Sequence, residues 1–512
     1  MFIRRKLNKS GSISIQVIKK ENRRNILVKT IGCSKDPKEI ARLQLRGEEF
    51  INKPIANQCR LFRLEDKESM VIKNFLSNLS NSNIHTVGPE LIFGKLFDKI
   101  GFNQISDELF RHLVITRLAY PTSKLKTVDY LYRYKGIKIN ITKLYRFLDK
   151  LHSKYKEQAE QIAFEYTKKK LKNISVVFYD MTTLYFEAED EDDLRRIGFS
   201  KDGKFQKPQI MLGLLVGKKG LPIGYDIFEG NTFEGNTLLP ILDQIQKKYH
   251  FSKPVVIADS GLLSKKNLSN LSQQKYQFIL GGRIKNESER IKEQILEKAQ
   301  SIKNGDSFVI KKTDGLKLVI SYSDQRAKKD NYNREKGLRK LRQKASSGKL
   351  TKENINNRGY NKFLKLKSEV LVEIDEEKVQ QDKVWDGLKG YVTNTKLSSK
   401  DIIENYKHLW QIEKAFRISK TDLKVRPIYH RKRNRIEAHI CIAFVAYAIY
   451  KELERLLCKY QIGLSVKRAA ELTHNMYRLN CKLPHQVNVS SFLLNMDSEQ
   501  KLIYELIKKS YG

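Results

Sequence analysis

A multidomain α/β protein is what this sequence predicts: a mixed five-stranded sheet with helices, interrupted by a β-rich insertion, preceded by a helical region and followed by a helical tail. Three observations carry that expectation. Apolar and β-branched runs between residues 174 and 282 follow the order β-β-β-α-β-α-β. A stretch rich in Lys, Arg and Tyr over 85–170 keeps helical spacing and breaks at Pro121. A second set of strand-like runs, between 290 and 395, arrives before the next amphipathic helix.

The elements follow in order. Residues 1–60 read as a small basic β/α module: SISIQVIKK and NILVKTIG are strands, and the helix DPKEIARLQLRGEEFINK opens at Asp36 and Pro37. Residues 61–170 are helical. Their cations, tyrosines and TSK break suit a helix-turn-helix-like DNA reader, and suit an ordinary bundle with basic solvent faces equally. Over 171–289, NISVVFYDMTTLYFE precedes the hairpin KPQIMLGLLVG–GLPIGYDIFEG, which turns at Lys218–Gly220. The helix GNTLLPILDQIQKKYH then leads to the strand PVVIADSG, and a further strand, KYQFILGG, comes after another helix. In a mixed sheet of this order the first and fourth strands can lie side by side and parallel. The insertion, 290–395, contains DSFVIKKTDGLKLVISYS and KSEVLVEIDEEKVQQDKVWDGLKGYVTNT around a very basic helical stretch. Closing helices over 396–455 complete the parent fold, and 456–512 is a helical tail with no chemical signature. The acidic run Glu187–Asp193 reads as a solvated loop.

The charge narrows the partner. Among 512 residues, 98 Lys and Arg against 58 Asp and Glu give +40, and such excess favours a polyanion, because each neutralised phosphate releases counterions. An AT-rich genome also enriches Lys, and an anionic membrane surface is the rival partner. The longest apolar run, 440–450, is about half the ~20 residues a bilayer span needs and reads as a buried core helix. No apolar signal stretch follows the N-terminal Met1. Cys33, Cys59, Cys441, Cys458 and Cys481 are scattered, without zinc spacing or a disulfide framework, which points to a reducing cytoplasm and no membrane.

The chemistry gathers around three acids. On a helix over 406–420, Tyr406, Leu409, Glu413, Arg417 and Lys420 fall within about 80° of one face. A packing helix would put an apolar stripe there. Asp180 and Asp259 are each expected at the end of a buried strand, where a carboxylate lines a crevice. Singly, either also suits a loop cap. Together with Glu413 they make an oxygen-only set suited to Mg²⁺ or Mn²⁺, two ions at an in-line phosphoryl displacement. The motif FEGNTFEGNTLL reads as a structural elbow, with a metal role for Glu229 or Glu234 the lesser alternative. Thr182 and Thr183 either orient Asp180 or serve the strand.

Four segments now resemble a known family: YDMTTLYFE, the run IGFSKDGKFQKPQIMLGLLVGKKGLPIGYDIFEGNTFEGNTLLP, VIADSG, and YKHLWQIEKAFRISKTDLKVRPIYHRKRNRIEAHI. The chain resembles the bacterial insertion-sequence DDE transposases, in the superfamily with a Tyr-Arg-Glu-Lys signature and a β-insertion before the catalytic Glu. The signature falls on Tyr406, Leu409, Glu413 and Lys420, so Leu stands where the family has Arg. Arg417, or less well His408, is the candidate substitute; otherwise Leu409 packs under the site. The resemblance implies an RNase H-like core with Asp180, Asp259 and Glu413 as catalytic metal ligands. It implies hydrolysis at the element's end, then attack of the freed 3′-OH on target DNA, with no nucleotide cofactor. Tyr406 and Lys420 would hold phosphates, and Arg417, Arg426, His430, Arg431 and Arg435 would extend a basic track. Trp410 would stack a displaced base or pack in the core. The implied partners are double-stranded DNA, as terminal inverted repeats and target, and a second copy in a synaptic homodimer acting at the nucleoid. An RNase H-like nuclease without strand transfer and an inactive DNA-binding relic are the alternatives.

Overall fold

The computed structural model describes the chain except residues 22–23, 64–66, 251, 313–314, 348, 357–358, 367–371, 485 and 512, and leaves the side chains of 52–70 and 352 undescribed. The side chain of Cys59 and the opening of the KSEVLVEI run fall outside the described residues. The chain divides into two compact units, Met1–His85 with Arg478–Leu493, and Thr86–Tyr477 with Leu494–Gly512.

In the first unit, Phe2–Leu7, Ile13–Glu21 and Arg24–Ser34 form an antiparallel sheet in chain order. Ile15, Val17 and Ile18 of its central strand are fully buried. The helix Pro37–Arg63 follows, its first turn capped where the Asp36 carboxylate accepts from Lys38 N–H at 3.0 Å. The tail departs from the helical expectation: Tyr477–Lys482 and Val489–Leu493 pair as a hairpin and join Ile84–Thr86 in a three-stranded sheet. Polar residues alternate with larger apolar ones in YRLNCK, and that short period-2 pattern outweighs the helical drift around it.

The second unit is built on one mixed sheet of eight strands: β1 (Val176–Tyr185), β2 (Gln209–Val216), β3 (Pro222–Glu229), β4 (Val255–Ala258), β5 (Gln277–Gly282), β6 (Ser307–Lys311), β7 (Lys317–Tyr322) and β8 (Leu388–Thr393). Their order across the sheet is β6-β7-β8-β5-β4-β1-β2-β3. β4 runs parallel to both β1 and β5, and the other pairings are antiparallel. The expected five-stranded sheet is therefore the β1–β5 part of a larger one. Three strands of the 290–395 segment, β6, β7 and β8, extend it through the β8–β5 pair. What that segment adds beyond the sheet is mostly helical, chiefly Asp324–Ser346, with a ribbon of Leu364–Leu366 and Val372–Ile374.

Two apolar layers cover the sheet, and strand alternation assigns side chains between them. Along β1, Val176, Phe178 and Leu184 enter one layer, while Val177, Tyr179 and Met181 enter the other. The first layer is supplied by helices, among them α1 (Glu108–Ala119), α2 (Lys124–Lys135), α3 (Ser399–Lys407), α4 (Trp410–Arg417) and α5 (Arg433–Lys459). Side-chain caps start α1, α2 and α3: Asp107, Ser123 and Ser398 accept from amides two or three residues on. The apolar run 440–450 lies in α5 and is buried along its whole length. At roughly 1.5–3 kcal/mol for each large aliphatic or aromatic side chain taken out of water, α5 is a principal source of this layer's stability. No described helix is long and apolar enough to cross a membrane.

The helix expected over 406–420 is broken into three. Leu409 N–H bonds to Tyr406 O at 3.0 Å and Ile412 N–H to Leu409 O at 3.1 Å, so tight i→i+3 turns separate α3 from α4. Beyond Arg417 the backbone widens into a π-turn over Ile418–Asp422. Tyr406 and Lys420 thus do not share one regular helical face.

Candidate active site

Register brings the two aspartates together. The last parallel pairs of β1 and β4 are Phe178–Ile257 and Tyr179–Ala258, so Asp180 and Asp259 are the next residue on each chain. Asp259 leaves β4 as expected. Asp180 does not end its strand: β1 runs on to Tyr185, pairing Asp180 with Leu214 of β2. The Met-Thr-Thr-Leu-Tyr sequence that follows is itself strand-forming, so only the β4 side of the ladder stops there.

Around these acids lies a cation the sequence reading did not single out. Lys201 Nζ donates to Met181 O at 2.6 Å and to the Glu234 carboxylate at close range, and stands 3.6 Å from Asp180 Oδ1. Its backbone N–H donates to Thr183 Oγ1 at 3.1 Å, which fixes the loop against β1. Burial pushes the Asp180 carboxyl up to about 6, with Lys201 opposing and the charges of Asp259 and Glu234 adding to the rise. Burial likewise works against the Lys201 charge, but Asp180, Glu234 and Asp259 outweigh it and hold its pKa above the ordinary value.

Asp259 caps a turn as well as standing beside Asp180. Its Oδ1 accepts from Gly261 N–H at 2.8 Å and so caps the short turn Ser260–Leu262. A Cβ on Gly261 would stand 2.9 Å from that oxygen and 3.1 Å from Glu234 Oε2, so glycine here leaves room for the two carboxylates to approach. The elbow assigned to FEGNTFEGNTLL thus delivers Glu234 to the acidic group, while Glu229 ends β3 exposed.

Tyr406 is buried, with its hydroxyl over Gly281: a Cβ there would lie 2.5 Å from the oxygen and 3.0 Å from Ser260 N. Its ring meets Tyr391 edge-on at 4.9 Å and lies under Lys389 Nζ at 4.4 Å. Burial raises the phenol pKa, and Asp259, Tyr391 and Glu413 raise it further. Tyr406 therefore feels both Asp259 and Glu413, the latter exposed on α4.

The remaining expected residues scatter. Lys420 donates to both oxygens of Asp202 at 3.1 and 3.2 Å, and Arg426 pairs with the same carboxylate. Consecutive residues Lys201 and Asp202 thus face acids and cations respectively. Arg435 is held bidentate by Asp149 at 2.8–2.9 Å. Arg417 and Arg431 are exposed, and Trp410 is 52% exposed with Lys414 Nζ 5.8 Å from its ring, so it does not pack in the core. His430 is buried edge-on to Tyr145. Leu409 is buried in the α4 layer. Lys201, Asp202 and the placement of Glu234 were missed because the 200–204 loop and the Glu234 turn come together with no fixed spacing between them. The one signal was the SKDGK turn just before β2.

Among the described residues, no three His, Cys, Asp or Glu side chains are grouped to hold a metal ion together. In kind, Asp180, Asp259 and Glu234 suit a hard divalent cation: they offer oxygen donors and like charges balanced by one ammonium. A cleft of about 670 Å³ opens beside Ser260 and Tyr406 and carries Arg283, Lys285, Arg326 and Lys389 on its walls.

The family profile described as a transposase DDE domain matches residues 172–449, more than half the chain. No curated protein matches. Among solved structures, the cryo-EM synaptic complex of piggyBac transposase with hairpin DNA aligns at 11% identity and a TM-score of 0.37, over 75% of this chain and 76% of that one. A likeness that low carries no argument.

Proposed function

Because the chain belongs to the DDE transposase family, we propose that it cuts DNA at the ends of a mobile element and joins them to target DNA. In this reading β1–β5 and the helices over 396–455 form an RNase H-like core, 290–395 is an elaboration inserted into it, and 61–170 reads the element ends. The observation that carries it is the β1–β4 register, which sets Asp180 and Asp259 side by side, next in the chain to Ser260 of a cleft whose cations outnumber its acids.

Asp180, Asp259 and Glu413 would hold Mg²⁺ or Mn²⁺, with Glu234 a further oxygen donor beside them. When bound, such ions supply charge stabilisation at the attacking and leaving oxygens of a phosphoryl displacement. The chain's own groups do the rest. Lys201 balances the carboxylates until DNA and cation arrive. Tyr406, kept neutral by its raised pKa, donates its hydroxyl proton in a hydrogen bond to a phosphate oxygen. Asp202 sets Lys420 and Arg426 in fixed positions along the DNA path. Hydrolysis breaks the P–O3′ bond at the element end, leaving a 3′-OH on the element and a 5′-phosphate on the flank. That hydroxyl then attacks a target phosphodiester, displacing a second 3′-OH, so the number of phosphodiester bonds is kept in the joining step. Two copies would pair two ends.

The test is Mn²⁺-dependent nicking of a duplex carrying the element's inverted repeats. Asp180→Asn and Asp259→Asn should each lower it at least ~100-fold, the scale of losing one electrostatic stabiliser. Nicking that persists in either variant refutes the site. Precleaved ends that fail to join while nicking proceeds would make the enzyme a nuclease instead.

A further inference from the structure

Helix α2 starts directly after Pro121–Ser123, and its first residues line a cavity of about 310 Å³ whose other walls include Arg117 of α1, Tyr145, residues between Lys424 and His430, and His439 of α5. Four basic side chains meet there, all almost fully buried: Arg117 and Lys124 at 5% exposure, His439 at 6% and His430 at 9%. Among the described residues, no carboxylate answers them. The charged groups acting on Lys124, His430 and His439 are these same residues and Arg435, all basic. Arg117 makes two long contacts, 3.4 Å from Nη1 to Leu423 O and to Lys424 O. Lys124 has no ion pair or hydrogen bond among the described residues. His439 donates from Nε2 to Val425 O at 2.9 Å, and its Nδ1 is buried with no partner among the described residues. Arg426 also reaches the cavity, but Asp202 already occupies it, as Asp149 does Arg435.

An unpaired ammonium or guanidinium taken out of water carries a penalty of several kcal/mol. Burial lowers the pKa of Arg117 to about 10 and, with Arg117 adding, that of Lys124 well below its ordinary value, so the free pocket resists full charge and an entering anion would favour the protonated forms. The amino end of α2 also suits an anion, since its dipole and first amides favour negative charge. Tyr429, which also lines the cavity, is exposed.

We propose that this cavity binds a phosphate group, with Arg117 and Lys124 as its charged ligands and the amino end of α2 completing the shell. The phosphate belongs to the DNA backbone if the chain is the transposase inferred above; inorganic phosphate offers the same chemistry, and the experiment separates the two. Thermal unfolding of the full chain, without divalent metal, is compared in phosphate and in chloride at equal ionic strength. Phosphate should raise the wild-type Tm by several degrees. Lys124→Met should raise the Tm in chloride, by removing an unpaired charge, and abolish the phosphate response. Binding of a random-sequence duplex by this variant should weaken about tenfold, with a salt slope shallower by about one. An unchanged salt slope alongside a lost phosphate response would overturn the DNA source and leave a free-phosphate site. If Lys124→Met does not fold, protection of wild-type Lys124 from acetylation by phosphate, read by mass spectrometry, decides. A wild-type chain with neither shift nor protection overturns the site. Nicking in Asp180→Asn has no bearing on these readouts, so each reading can fail alone.

Discussion

The ammonium of Lys201 touches Glu234, stands near Asp180 and feels Asp259, so it sets the charge balance of the acidic group. Its removal leaves carboxylates facing one another in a half-buried setting. Lys201→Met should therefore destabilise the metal-free protein by about 1–3 kcal/mol, a figure reduced for its partial exposure. Mn²⁺ should restore the lost Tm and bind the variant more tightly than wild type in calorimetry; a variant more stable than wild type without metal would contradict this balance. Leu409 poses the opposite case. It is buried at the position where the family signature has Arg, so Leu409→Arg should cost about 3 kcal/mol or more by forcing an unpaired charge into the α4 layer. A denaturant midpoint unchanged from wild type would show that the layer opens there. The individual acids were legible because β-branched runs lead into them. Lys201 was not, because its meaning depends on where a loop folds back.

At the scale of elements, the junction of α1, α2 and α5 carries a pH signature. Burial, with Lys124 and Arg117 adding, lowers His430 to about 3 and His439 well below its ordinary value. The unfolded chain takes up these protons near pH 6.5 and the folded chain does not, so the associated stability is present above pH 6.5 and is lost as pH falls toward 3. Urea midpoints measured in chloride from pH 8 to pH 4 should fall, and His430→Gln should remove up to ~3 kcal/mol of that dependence. A flat profile would mean that the imidazoles protonate without strain. The periodicity of 406–420 announced an amphipathic helix correctly as to type. It could not announce the tight turns at His408–Leu409, which arise where Leu409 is drawn into the core while Glu413 stays outside.

For the whole molecule, the eight-stranded sheet makes the 290–395 segment inseparable from the core. β8 pairs with β5, the strand whose Gly281 lies under Tyr406. Deleting 290–395 should abolish cooperative unfolding in calorimetry, because β5 would lose its β8 neighbour and become an uncovered edge. Replacing only 324–386 by a short linker between β7 and β8 should keep a cooperative transition, since that pair would remain a hairpin on β5. If the large deletion melts like wild type, the sheet is not continuous. Alternation identified these strands but not the sheet they join, because a period-2 pattern says which residues face inward and nothing about neighbours. The alignment of β1 against β4 has one more consequence. A slip of one residue would turn Asp180 into the opposite layer, away from Asp259, and exchange the two sets of β1 side chains between layers shaped for the other set, so a misassembled chain loses its packing and this pairing of acids together. Assembly of the sheet thus acts as its own inspection, and a molecule that passes it needs no later adjustment to bring Asp180 beside Asp259.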